Sequence, residues 1–184
     1  MEIEDQETAA AAPPLALPEA FDHLDAIWRL AFGRRQALVQ VRSLEGVAEL
    51  TQPCTSRDEF TARMSKLADL LKLLDVPDGL LPSGASDQDR EGSLNRLNAV
   101  LRAKLGAVEY QRAAQGIGLL RAVNEVRVCL QHTAKERDLP EALARLGIGS
   151  FPPVWSEAWN HIRARTVAAL AMIRDEVRAL APLG

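Results

Sequence analysis

Aromatic residues are scarce in this chain, at 4% of 184 residues, and the β-branched runs that mark strands are missing. Sandwiches and barrels need such runs at regular spacing, so an all-β fold is excluded at the outset. Cysteine is almost absent too. Cys54 and Cys129 lie far apart and belong to no CxxC pair, which removes both a disulfide framework and a metal knuckle and leaves two reduced, partly buried thiols. No stretch approaches the roughly 20 apolar residues of a membrane span. The common enzyme templates are also missing: there is no GxSxG elbow, P-loop, HExxH, nucleotide-binding glycine signature or internal repeat. His23, His132 and His161 are far apart and no two stand at metal-ligand spacing, so neither a metal nor a cofactor is expected. Glu2, Glu4, Asp5 and Glu7 give the N-terminus the wrong sign for a secretory signal, and the expectation is a cytoplasmic protein without membrane contact.

What is present points to helix. Ala, Leu, Arg and Glu dominate, all of them helix-favouring or neutral. A hydrophobic share of 47% against 26% charged suits one globular domain with a real core. The net charge of −3 is unevenly spread: residues 112–184 carry 10 basic and 7 acidic side chains, and nine of those ten cations are arginine. That +3 half permits an anionic partner without demanding one, since a GC-rich genome also favours arginine over lysine.

Residues 1–17 mix acids with an Ala-Pro run and show no periodic apolar face, which predicts a disordered tail before a helical domain over 18–184. Phe21, Leu24, Ile27, Trp28, Ala31, Leu38, Val41 and Ala48 recur at helical spacing, predicting a first helix from Pro18 or Glu19 to about Leu50, with Gly33 and Gly46 as places to bend or stop. Ser56-x-x-Glu59 reads as a capping box ahead of the stripe Phe60, Met64, Leu67, Leu71 and Leu74. Residues 76–93, rich in Pro, Gly and Ser, read as a long loop, mobile or functional. A third helix carries Leu94, Leu97, Leu101, Leu105 and Val108; Gly116 and Gly118 are expected to break it from a fourth with Leu119, Leu120, Val123, Val126 and Leu130 inward. Asp138 and Pro140 open a short helix that stops at Gly147. Pro152 and Pro153 open the last helix, with Ile162, Thr166, Leu170, Ile173, Val177 and Leu180 inward and Arg163, Arg174 and Arg178 outward. The fold class is therefore all-α, a bundle of about five to six helices. Trp28 with Phe32, and Trp155 with Trp159, stand one turn apart, a spacing for core or interface packing rather than base-stacking platforms.

One constellation bears on chemistry: Arg127 is followed five residues later by His132. An imidazole can take the proton of a 2′-hydroxyl or give one to a departing 5′-oxygen, while a guanidinium holds the phosphate and stabilises its developing charge. Spacing alone carries little weight. Arg127 sits at the edge of the inward stripe, and on a straight helix His132 lies about 140° further round. The two meet only if the helix ends or bends there, or if a second subunit brings its copy alongside. An Arg paired with Glu125 or a backbone carbonyl, beside an exposed His near a helix end, accounts for the same residues.

The stretch Leu119 to Ile148, LLRAVNEVRVCLQHTAKERDLPEALARLGI, resembles the motif helix of HEPN domains, whose shared element is R-x4-6-H late in a bundle of four or five helices. The long first helix, the mid-chain loop and the closing Trp155–Trp159 helix are similar to that layout. The resemblance implies a HEPN-like homodimer with both motifs in one cleft, RNA as substrate, metal-independent cleavage, and Arg127 and His132 as the catalytic pair. It also implies a toxin or defence role, with an antitoxin or nucleotidyltransferase as partner. The residue after the family's Arg is commonly polar, whereas here it is Val128. Asn124 and Gln131 are then the residues expected to supply the missing polar contacts to substrate. Some HEPN domains are inert, and Val128 leaves open a non-catalytic adaptor that binds a protein or nucleotide.

Overall fold

The computed structural model describes residues 13–39 and 49–182. Among them are seven α-helices: α1 (Ala16–Phe32), α2 (Arg57–Lys72), α3 (Asp87–Arg90), α4 (Ser93–Lys104), α5 (Ala107–Gln131), α6 (Leu139–Arg145) and α7 (Trp155–Arg178). Single 3₁₀ segments lie at Asp78–Leu80 and Thr133–Asp138. No strand occurs among the described residues, only an isolated antiparallel bridge between Val39 and Leu74. The chain is an all-α helical bundle.

Its axis is α5. That helix touches α2, α4, α6 and α7, so its buried residues, from Ala113 through Ile117, Val123 and Val126 to Cys129, cannot keep to one stripe. The widest interfaces are α5 against α7 and α1 against α7. Trp28, Phe60, Leu67, Val100, Ile117, Val123, Trp159 and Leu170 are fully buried in one continuous core.

Several boundaries differ from the sequence reading. The first helix begins at Ala16, with Leu17 already buried, and it ends at Gly33 rather than near Leu50. Gly33 adopts φ 110°, a conformation that costs a side-chain-bearing residue dearly, and Asp25 draws the following chain back. Its Oδ1 accepts the N–H groups of Leu38 and Val39 at 2.7 and 2.9 Å, while Oδ2 accepts from Arg29. The rest of the expected tail, 1–12, and the part of the expected first helix that falls on 40–48 lie outside the described residues.

Ser56 caps α2 by accepting the Glu59 N–H, but Glu59 returns its carboxylate to the N–H and hydroxyl of Thr55, one residue earlier than a reciprocal box requires. The stripe Phe60, Met64, Leu67, Leu71 and Leu74 is buried throughout. The 76–93 segment is built rather than loose. Val76 is fully buried, Arg96 donates to its carbonyl and pairs with Asp78, and Ser86 and Asp89 close a true capping box on α3.

The break expected at Gly116 and Gly118 falls instead at Leu105–Gly106, and α5 runs straight through both glycines. A Cβ on Gly116 would lie 2.7 Å from the Ala169 carbonyl oxygen and 3.1 Å from Ile173 Cγ1, so this glycine exists for close approach of α7. Asp138 occupies the position before α6 but makes no capping bond, because its backbone is already helical. Arg163, expected outside, is buried: its guanidinium donates to the carbonyls of Pro13 and Pro14 and holds the approach to α1 against α7.

Candidate catalytic site at the end of the central helix

α5 presents three of the four residues singled out by sequence on one face. Spacings of three and four place Asn124, Arg127 and Gln131 one above another. That face fronts α2. Asn124 borders a shallow groove of about 300 Å³ with Leu71 and Lys72 of α2, and Gln131 Nε2 donates to Ser65 Oγ at 2.7 Å. Arg127 lies between them on the same stripe.

Arg127 is half-buried, and its Nε is fully buried without a hydrogen-bond partner. No ion pair or hydrogen bond joins its guanidinium to any described residue. Glu125 is not its counter-ion: both Glu125 carboxylate oxygens accept from Arg145, at 2.6 and 2.7 Å, and Arg145 also takes Glu141 at 2.8 Å. An unpaired guanidinium at the edge of a core is costly, because losing water without gaining a partner costs about 1–3 kcal/mol per polar group.

His132 closes the helix. Its backbone, at φ −117° and ψ 109°, has left the helical region, so the 140° separation of a straight helix no longer governs where its ring sits. The N–H still donates to the Val128 carbonyl at 3.1 Å, and its own carbonyl accepts from Lys135 N–H at 2.8 Å. The imidazole is exposed and has no side-chain partner among the described residues. Between Arg127 and His132 stands Cys129, whose thiol is 3% exposed; burial pushes its pKa up and keeps it a neutral packing group. Cys54 is buried and shifted upward for the same reason.

The fold therefore gathers Asn124, Arg127 and Gln131 along α2 and carries His132 past the helix end into solvent. Gln131 gives one amide N–H to Ser65, and its other N–H and Oε1 stay on the exposed side of the helix. Ser65 escaped the sequence reading because a serine on the polar side of an amphipathic helix carries no signal, and its partner is 66 residues away. Arg57 and Glu136, which pair across α2 and the 3₁₀ segment, were missed for the same reason.

No family model, curated protein or solved structure matches this chain.

The tryptophans lie elsewhere and are structural. Trp159 is fully buried and donates Nε1–H to the Gln52 carbonyl at 3.2 Å, Trp155 packs on Phe60 with centroids 5.1 Å apart, and Trp28 packs on Phe32 at 4.2 Å. No group of three His, Cys, Asp or Glu among the described residues stands close enough to hold a metal ion. No described helix is long and apolar enough to cross a membrane.

Proposed function

We propose that the C-terminal end of α5 is the active site of a HEPN-like, metal-independent endoribonuclease, with Arg127 holding the scissile phosphate and His132 moving the proton. One observation carries this reading: Arg127 is a half-buried cation with no hydrogen bond or ion pair to any described residue, five residues before His132 enters solvent, whereas Arg63 and Arg163, whose Nε atoms are equally unpartnered, each donate from another guanidinium nitrogen. Half-buried cations nearly always have a partner, and one without is open to a ligand that supplies it. A phosphate does so in the bidentate geometry that guanidinium prefers.

The chemistry is an internal transfer. An imidazole removes the 2′-hydroxyl proton, the 2′-oxygen attacks phosphorus, and the 5′-oxygen departs with a proton returned by an acid, leaving a 2′,3′-cyclic phosphate and a 5′-hydroxyl. In a homodimer with both motifs in one cleft, two copies of His132 supply the base and the acid. Arg127 stabilises charge on the non-bridging oxygens. An antitoxin or nucleotidyltransferase that covers this end of α5 would hold the activity in check.

The test is cleavage of RNA by purified protein in EDTA, wild type beside Arg127→Ala and His132→Ala, with folding checked by circular dichroism. Cleavage abolished in both variants, with cyclic phosphate ends, is the expected outcome. Equal activity in all three refutes the assignment.

A second reading has an observation of its own. Phe151 and Val154, each half or more exposed in the segment before α7, are apolar side chains that a non-catalytic adaptor would use against a partner protein. That reading expects no cleavage and loss of partner binding in Phe151→Ser.

A further inference from the structure

The imidazole of His132 has no side-chain partner among the described residues, yet the backbone that carries it is fastened on both sides to one helix. Before it, Gln131 Nε2–H donates to Ser65 Oγ at 2.7 Å. The serine hydroxyl donates in turn to the Thr61 carbonyl one turn back along α2, at 2.9 Å. That second bond commits the hydroxyl proton, so the lone pair facing α5 is fixed as an acceptor for the amide. After it, Glu136 pairs with Arg57 in the first turn of α2. The peptide of His132 is held internally as well, by Val128 O and by Lys135 N–H. What remains free is rotation of the ring about its own side-chain torsions.

We infer that Ser65 is a positioning residue for His132, acting through Gln131, so that α2 sets where the imidazole stands relative to Arg127. The inference rests on the ribonuclease reading above. It also replaces the sequence expectation for Gln131, whose amide serves the scaffold rather than the substrate. Proton transfer demands an imidazole within hydrogen-bond reach of the reacting oxygen, and a displacement of about 1 Å can cost on the order of a hundredfold in rate. Ser65–Gln131 is one solvent-facing bond of two fastenings, so its loss is expected to lower turnover about five- to tenfold. Substrate affinity, set by Arg127 and the exposed polar groups, is expected to hold.

The experiment measures kcat and KM on a single-stranded oligoribonucleotide in EDTA for Ser65→Ala, Gln131→Leu, the double variant and Ser65→Thr. Amide exchange over 132–135 and the His132 ring resonance are followed in the same proteins. Expected are a lowered kcat with unchanged KM in each single variant, no further loss in the double, recovery in Ser65→Thr, and faster exchange at 132–135. A kcat within twofold of wild type in Ser65→Ala overturns the inference. So do multiplying losses in the double variant, or a raised KM in Gln131→Leu, which would return Gln131 to the substrate. If the wild type cleaves nothing, the ribonuclease reading fails; exchange and ring resonance then judge the fastening alone, and their indifference to Ser65→Ala overturns it.

Discussion

Two glycines two residues apart in α5 should respond to alanine with opposite signs. At Gly118 a Cβ would meet nothing within 4 Å. Alanine there removes the entropy penalty of a mid-helix glycine and should stabilise the protein by about 0.5–1 kcal/mol. At Gly116 the same propensity gain applies, but the new Cβ would sit 2.7 Å from the Ala169 carbonyl oxygen, 3.1 Å from Ile173 Cγ1 and 3.4 Å from Met172 Cβ. The nearest of these is backbone, which cannot rotate away, so α5 and α7 must separate across their widest interface. Overpacking of this kind costs about 1–3 kcal/mol, and a clash with backbone belongs at the upper end. Setting about 1 kcal/mol of propensity gain against it leaves a net loss of about 1–2 kcal/mol. In a chain of this length about 1 kcal/mol moves the melting temperature by roughly 2–4 °C. Equilibrium urea unfolding of the two single variants beside wild type measures both signs. If Gly116→Ala is as stable as Gly118→Ala, α7 does not pack on α5 as described, and the axis assigned to the bundle is wrong.

Replacing Arg127 by methionine should abolish RNA cleavage while leaving stability unchanged or raising it by about 0.5–1 kcal/mol, because an unsatisfied buried Nε is removed and the apolar stem kept; a loss above about 1 kcal/mol in denaturant would mean that the guanidinium has a structural partner. Arg163→Met should cost about 2–3 kcal/mol by stripping a charged donor from the Pro13 and Pro14 carbonyls, and limited proteolysis should then cut ahead of α1 where it spares the wild type. Glu59 is held below the usual carboxylate range, first by the Thr55 N–H and then by the Thr55 hydroxyl. A depressed carboxylate stabilises the fold above its unfolded pKa and loses that contribution as pH falls through the folded value. Unfolding midpoints between about pH 5 and pH 3 should therefore drop more steeply for wild type than for Glu59→Gln, and parallel curves would show that the charge of the Glu59 carboxylate on Thr55 contributes nothing.

The residue pattern determined helix type, the stripe of α2, the stop at Gly147 and the position of Arg127 inside α5 with His132 near its end, because each depends on neighbours within about one turn. It misplaced what depends on another element. Gly116 reads as a helix breaker until α7 is seen lying against it, and Arg163 reads as a surface cation until the Pro13 and Pro14 carbonyls are seen above it. Likewise, Glu125 is the acid nearest Arg127 in sequence, and only the approach of α6 shows that Arg145 has taken it. The site follows the same division. The spacing, weighed with the resemblance, named the guanidinium and the imidazole, but the absence of a counter-ion for Arg127 among the described residues and the hold of Ser65 on Gln131 depend on contacts across tens of residues. Local propensity cannot specify those contacts, because their free energy exists only once the bundle has closed.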